Sequence, residues 1–221
     1  MTASLRDCIL AAADAVDAGR DELGRLDAVA GDGDHGLTMA HGARAVRRAL
    51  EENREAPPAD LLAKVAMAMA SIGGAIGPIY ATGLLKTAGA IRVSETWEGG
   101  LTVARLLACA DAAVGAVTAL GHAKPGDKTI LDAMTPLAES LRAAEAEALP
   151  VDEAISRARD AARAGAAATS GMIASIGRAA RLGEQSRGTP DAGATSFAMI
   201  VAAAVDTYLA AGSEHASGRA R

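Results

Sequence analysis

The stretch that organises the chain reads Leu26-Asp-Ala-Val-Ala-Gly-Asp-Gly-Asp-His-Gly-Leu-Thr38. It places three carboxylates, Asp27, Asp32 and Asp34, close together, with a glycine on each side of Asp32. Glycine lets the backbone turn tightly, and Mg²⁺ and Ca²⁺ prefer oxygen ligands. Because acids and glycines at this density are unfavourable in a helix interior, we expect the whole stretch to be a loop. The pattern predicts a site for a hard cation that serves a phosphate ligand.

The residues that follow the acids allow more than one interpretation. A calcium-binding helix–loop–helix motif needs a glutamate at its twelfth position, but the twelfth residue from Asp32 is Ala43, which excludes that motif. Gly36-Leu37-Thr38 opens a predicted helix, whose first amides can hold a phosphate. A plain helix start is the alternative for Thr38. His35 is either a phosphate donor or a solvated side chain.

The composition of the whole chain favours an all-α protein. Half of the 221 residues are hydrophobic, alanine is abundant, and only 2% are aromatic. Alanine has the highest helix propensity, and the alternation typical of strands is nearly absent. We expect one domain over residues 1–221, with a flexible tail at about 212–221.

Charge and cysteine content exclude several classes of function. The net charge of −5 gives no basis for binding nucleic acid or a membrane surface. Cys8 and Cys109 lie in apolar contexts, which argues against a disulfide framework and suits a reducing cytoplasm. We expect neither a signal peptide nor a transmembrane helix, since no run of about 18 apolar residues occurs.

The hydrophobic periodicity predicts eight helices, and their order places four unusual loops together. The predicted helices cover about 2–18, 37–53, 60–72, 78–91, 101–120, 130–148, 151–170 and 194–211. If consecutive helices run up and down, alternate loops fall at one end of the bundle. These loops are the glycine-rich, charged segments 19–36, 73–78, 121–129 and 171–193.

Each of the other three loops has a plain structural alternative. The uncharged segment 73–78 is either a tight turn or a backbone surface for a flat group. In residues 125–129, Asp127 or Thr129 can simply cap a helix. Arg178, Arg181 and Arg187 in the last loop either bind phosphate or neutralise nearby acids. No nucleophile and no phosphate-binding loop ending in Gly-Lys-Ser/Thr stands out. Phosphoryl transfer, however, needs mainly positioning and cations.

Four spaced motifs resemble the L subunit of dihydroxyacetone kinase, its nucleotide-binding subunit. They lie at residues 31–36, preceded by Leu26-Asp27, and at residues 73–78, 125–129 and 177–196, in the right order. The resemblance implies an eight-helix antiparallel barrel with ADP or ATP at one rim. It also implies two magnesium ions, held by Asp27, Asp32 and Asp34, that bridge the nucleotide phosphates. The residues implied in nucleotide binding are His35, Gly36, Leu37, Thr38, Ala75, Ile76, Gly121, Ile130, Arg178, Asp191, Ala192 and Gly193.

The resemblance also implies partners and leaves alternatives open. The family transfers a phosphoryl group to dihydroxyacetone held on a separate K subunit or domain. The donor is either ATP or a phosphohistidine protein of the sugar phosphotransferase system. Ile76, Gln185 and Ala192 replace the serine, arginine and proline expected there, so another small ketose such as a tetrulose is an alternative substrate. A nucleotide-loaded regulatory module is the alternative from another functional class, and the oligomeric state, a homo-oligomer included, stays open.

Overall fold

The structure is a computed structural model that describes residues 3–93 and 100–218, with side chains described through Ser213. Its described residues contain helices and no strand, which confirms the all-α prediction. The α-helices are α1 Leu5–Ala18, α2 Arg20–Ala30, α3 His35–Glu52, α4 Pro58–Ala70, α5 Ile76–Val93, α6 Val103–Gly121, α7 Leu131–Ala146, α8 Val151–Ala168 and α9 Ala192–Gly218. Short 3₁₀ segments at Thr169–Gly171 and Ala179–Ser186 interrupt the connection between α8 and α9.

Eight of these helices form a closed ring. Starting from α1, each helix packs on the next in the order α1, α3, α4, α5, α6, α7, α8 and α9, and α9 returns to α1. The eight-helix antiparallel barrel is therefore confirmed. The remaining helix, α2, packs chiefly on α3 outside this order.

Small side chains inside the ring let the helices approach closely. Many buried core positions are alanine, such as Ala133, Ala154 and Ala162, each without exposed surface. Larger apolar side chains fill part of the interior, among them Val16, Met39 and Leu131. An apolar cavity of about 180 Å³ remains between α1, α3, α4, α5 and α9.

The acidic stretch is helical for longer than the sequence predicts. Residues 19–36 were expected to form a loop, but α2 occupies Arg20–Ala30 and α3 begins at His35, so the loop itself spans residues 31–34. Leu23 on α2 is completely buried, and Asp21 and Glu22 lie in its first turn, where acids favour the helix dipole. Most residues of this segment are good helix formers, and the burial of Leu23 adds tertiary packing to that preference.

Other boundaries also differ from the predictions. Residues 212–218 continue α9 in the structure, and the flexible tail at about 212–221 stays a prediction. Helix α5 begins at Ile76, two residues before the predicted start. Most of the predicted polar connection at 92–100, including Trp97, lies outside the described residues.

Two helices are long and apolar enough to cross a membrane by length and composition, Val103–Gly121 and Ala192–Ser213. In this structure both belong to the ring, α6 between α5 and α7 and α9 between α8 and α1. The sequence rule of 18 consecutive apolar residues missed them because single polar residues interrupt each run. The absence of a membrane partner stays a prediction.

Candidate nucleotide and metal site

The three aspartates predicted to bind metal come together at one end of the ring. Asp27 lies on the last turns of α2, while Asp32 and Asp34 belong to the loop before α3. One carboxylate oxygen from each lies within 4.8 Å of the others. Gly33 between them has φ 78°, a left-handed conformation that glycine adopts without strain. This cluster of oxygen donors fits a hard cation.

The electrostatics of the cluster favour a bound cation. Burial, followed by the nearby carboxylate of Asp32, raises the pKa of Asp34. The pKa of Asp32 is lowered, chiefly by a hydrogen bond from the Arg178 guanidinium. Carboxylates held this close repel one another unless a positive charge lies between them. In this structure Arg178 supplies part of that charge, and a divalent cation would supply more.

The start of α3 lies against the cluster because Gly36 has no side chain. A Cβ at Gly36 would overlap the carbonyl oxygen of Arg20 and come within 2.7 Å of the Gly24 nitrogen. Glycine therefore lets α3 begin in contact with α2. The His35 amide donates to Asp27 Oδ2 over 3.3 Å, which ties the helix start to the carboxylates. The amide end of α3 thus faces the place where an anion would bind.

The His35 ring points toward α9. Its Nε2 lies 3.1 Å from Ser196 Oγ, and the residue is 9% exposed. Burial lowers the pKa of His35, while the Asp27 charge and the Ala192 backbone oppose that shift. The ring therefore links the start of α3 to the start of α9. Donation by His35 to a phosphate stays a prediction, and Nε2 already has a partner.

A cavity of about 290 Å³ extends from the carboxylates. Its polar end includes Asp27, Asp34 and Thr38, and its apolar wall includes Ile76 and Ile130. Segments from all four predicted loops contribute to the lining, so the prediction that these loops share one end is confirmed. The predicted site residues that line it are Asp27, Asp34, His35, Thr38, Ala75, Ile76, Ile130, Arg178, Asp191, Ala192 and Gly193.

Four predicted residues do not line this cavity. Asp32 is connected to the cavity through Arg178, a lining residue whose guanidinium pairs with the Asp32 carboxylate. Gly36 is buried beneath the start of α3, and Leu37 is 53% exposed. Gly121 ends α6 as an exposed residue. The parts of these four residues in metal or nucleotide binding stay predictions.

Asp191 marks the opposite side of the cavity. Its Oδ2 accepts a hydrogen bond from the Ala194 amide over 2.7 Å at the start of α9, and its own amide donates to Thr169 Oγ1. Burial raises the pKa of Asp191 to about 6. Its carboxylate therefore caps the start of α9 and lines the cavity, while its backbone amide links this segment to Thr169 at the end of α8.

Sequence reasoning missed Lys128 as a cavity residue. It lines the cavity, is 5% exposed, and donates from Nζ to backbone carbonyls of the α8–α9 connection. A helix cap by Asp127 or Thr129 was one alternative for residues 125–129, and the Thr129 hydroxyl does accept from the Leu131 amide at the start of α7. Asp127 instead binds Ser175, while Asp132 accepts from the Gly126 and Thr129 amides. No pattern in the sequence distinguishes a buried lysine from an exposed one in such a loop.

Comparisons with known proteins identify a matching family and several relatives of this chain. The DAK2 domain family matches residues 29–206. The chain is 42% identical over 187 residues to the L-erythrulose 1-kinase of Mycolicibacterium smegmatis, covering 82% of this chain and 31% of that protein. It is 35% identical over 172 residues to the ADP-binding subunit DhaL of the PEP-dependent dihydroxyacetone kinase of Escherichia coli, covering 77% of this chain and 80% of that subunit. The chain spans about a third of the length of the erythrulose kinases it matches.

The fold is also found in solved structures. The dihydroxyacetone kinase of C. freundii in complex with AMP-PNP and Mg²⁺ superposes with a TM-score of 0.68 at 25% identity, covering 94% of this chain and 35% of that protein. Its native form superposes with a TM-score of 0.69 at 26% identity, covering 91% of this chain and 34% of that one. The family match, the relatives and the superposed fold all indicate the family that the four sequence motifs resemble. The chain therefore belongs to the DAK2 domain family.

Proposed function

We propose that this chain is the nucleotide-binding part of a ketose kinase. Asp27, Asp32 and Asp34 would hold two magnesium ions, and the ions would neutralise the phosphates of bound ADP or ATP. The observation that carries the proposal is a cluster of three converging carboxylates, two of which line a cavity that also has an apolar wall. A polyphosphate and a flat base need this combination.

The chain's own residues would place the nucleotide. The amides at the start of α3 lie beside the carboxylates, where the helix dipole favours a phosphate. Ala75, Ile76 and Ile130 offer an apolar surface for the base. Arg178 pairs with Asp32 at the edge of the cavity. Its guanidinium could instead donate hydrogen bonds to a phosphate. No side chain needs to act as a nucleophile.

The acceptor in this proposal is a small ketose held on a K subunit or domain. The erythrulose kinases of M. smegmatis and Pectobacterium atrosepticum, at 38–42% identity, favour a tetrulose. The DhaL subunits of E. coli and Listeria innocua, at 32–37%, favour dihydroxyacetone. The names of these DhaL subunits describe a PEP-dependent kinase. Direct use of ATP as the phosphoryl donor is the alternative. We place this reaction in the cytoplasm, where a phosphotransferase donor would act.

Reconstitution tests the proposal. The chain is mixed with a K subunit, Mg²⁺ and ATP, and then with L-erythrulose, D-erythrulose or dihydroxyacetone, and phosphorylated ketose is measured by mass spectrometry. A parallel set replaces ATP with ADP and the phosphohistidine donor protein, which would rephosphorylate the bound ADP. We expect product with at least one ketose and one donor, and none with Asp34→Asn. If the chain binds nucleotide but yields no product in any combination, the regulatory-module alternative replaces the kinase.

A further inference from the structure

The connection between α8 and α9 forms one wall of the cavity without a regular helix to support it. Ile176, Gly177, Arg178 and Ala179 in this connection line the cavity. Only short 3₁₀ segments occur between Thr169 and Ser186. Ordering such a segment costs conformational entropy, so specific contacts must hold it in place. The strongest set of contacts comes from a different loop.

The Lys128 ammonium lies where the two ends of this connection come together, which we call its neck. Its Nζ donates to the carbonyl oxygens of Ser186 at 2.5 Å, Thr189 at 2.7 Å and Met172 at 3.3 Å. Met172 lies near the beginning of the connection, and the other two acceptors lie near its end. A lysine has three N–H donors, so all of them are used. One cation thus joins the two ends of residues 172–189.

The backbone around Lys128 is held in an uncommon conformation to place this side chain. Lys128 has φ 61°, a left-handed value that lysine rarely adopts. The Asp132 carboxylate accepts hydrogen bonds from the amides of Gly126 and Thr129 on either side of Lys128. Such strain persists where surrounding contacts over-determine it, and it is concentrated at functional sites.

A second tie joins the same two loops. Asp127 Oδ1 accepts from the Ser175 hydroxyl at 2.6 Å, and the Asp127 carbonyl accepts from the Ser175 amide at 3.3 Å. Within the connection, Ser186 Oγ accepts from the Ala174 amide and donates to the Gly183 carbonyl. The ammonium therefore belongs to a hydrogen-bond network that holds this wall of the cavity in place.

We infer that Lys128 is a positioning residue for the nucleotide, which closes the neck of residues 172–189 so that Ile176 to Ala179 form a preformed cavity wall. The inference rests on the proposed nucleotide site. Because its three donors are used by carbonyls, the ammonium acts through the connection and does not contact the phosphates. The carboxylates lie on α2 and the loop before α3, and the connection reaches them through the Arg178–Asp32 ion pair, which a bound divalent cation would replace. Loss of Lys128 therefore affects nucleotide affinity while metal affinity persists.

The test compares Lys128→Met with Lys124→Met, which removes an exposed lysine from the same loop. Mn²⁺ binding without nucleotide is measured by electron paramagnetic resonance, and ADP binding at saturating Mn²⁺ by calorimetry. For Lys128→Met we expect ADP affinity to fall by about tenfold or more and Mn²⁺ affinity to stay within about threefold. Trypsin should also cleave faster after Arg178, Arg181 and Arg187. Lys124→Met should match the unmodified protein in all three measurements.

Chemical rescue separates the charge from the volume of the side chain. In Lys128→Ala, propylammonium should restore ADP affinity by about threefold or more, while propanol of the same size should not. Equal rescue by propanol, or ADP affinity within about threefold of the unmodified protein in both variants, would overturn the inference. If both variants fail to fold, Lys128→Gln is measured in the same way, and unchanged ADP affinity in it also overturns the inference. Failure of the unmodified protein to bind ADP would instead refute the proposed function.

Discussion

The imidazole Nε2 of His35 lies 3.1 Å from the hydroxyl oxygen of Ser196, which joins the first residue of α3 to the first turns of α9. The Tyr80 hydroxyl lies 3.1 Å from the same oxygen, and Ser196 also bonds the Gly193 carbonyl. Ser196 has no exposed surface. One buried hydroxyl therefore connects three helices of the ring directly behind the carboxylate cluster.

Ser196→Ala should destabilise the fold and weaken the site together. The change leaves His35 Nε2 and the Tyr80 hydroxyl without this partner, which costs about 1–3 kcal/mol of the free energy of unfolding. The matched control is Ser213→Ala, an exposed serine on the same helix whose hydroxyl bonds only one turn back to Ala210. Urea unfolding of both variants measures the difference. Equal stability of the two variants would show that the buried hydroxyl has no special role.

Gly36→Ala should separate α2 from α3. The added methyl group would overlap the Arg20 carbonyl and crowd the Gly24 nitrogen, so we expect a loss of about 1–3 kcal/mol or more in the free energy of unfolding. Gly115→Ala on α6 is the control, because its added Cβ meets no atom within 4 Å. That substitution should stabilise the protein by about 0.5–1 kcal/mol through helix propensity. If Gly36→Ala unfolds at a temperature equal to or higher than that of Gly115→Ala, the result would contradict the close approach of α2 and α3.

Asp191 should make stability depend on pH in a defined window. Its pKa of about 6 in the folded protein is raised from an ordinary value of 3.8, mainly by burial. A raised pKa means that its contribution to stability is complete below the unfolded value and is lost as the pH rises through about 6. Between pH 4 and pH 7 the loss is about 2 kcal/mol, allowing for partial exposure.

Asp191→Asn isolates this contribution, because the amide oxygen can still accept from the Ala194 amide while carrying no charge. Urea unfolding of both proteins at pH 4 and pH 7 gives the comparison. We expect the variant to gain stability relative to the unmodified protein as the pH rises. A stability difference that is the same at both pH values would show that the carboxyl titrates in its ordinary range.

The sequence predicted the eight helices and the end at which the site lies, because both depend on short-range signals, and the family resemblance implied that the helices form a barrel. Hydrophobic periodicity identified the eight ring helices, and the helix order placed residues 19–36, 73–78, 121–129 and 171–193 at one end, where segments of all four line one cavity. The loop predicted for residues 19–36 is too long, because Arg20–Ala30 is made mostly of good helix formers and buries Leu23. The acids and glycines that suggested a loop are concentrated in residues 31–34.

The finer parts of the site depend on contacts between distant residues. The Lys128 ammonium reaches carbonyls 44 to 61 positions away, and the Arg178 guanidinium reaches Asp32 146 positions away. Nothing in the local sequence at either end encodes those distances. Gly121 and Leu37 belong to recognised segments but do not line the cavity. Their part in nucleotide binding stays a prediction.

Metal-dependent nucleotide binding tests the central claim most directly. Calorimetry measures AMP-PNP affinity with Mg²⁺ and with EDTA for the unmodified chain, for Asp34→Asn, and for Asp21→Asn, an exposed acid on α2. We predict that EDTA and Asp34→Asn each weaken binding by about tenfold or more, while Asp21→Asn has no effect. Equal affinity with and without Mg²⁺, or unchanged affinity in Asp34→Asn, would contradict the assignment of Asp27, Asp32 and Asp34 as the metal site of a bound nucleotide.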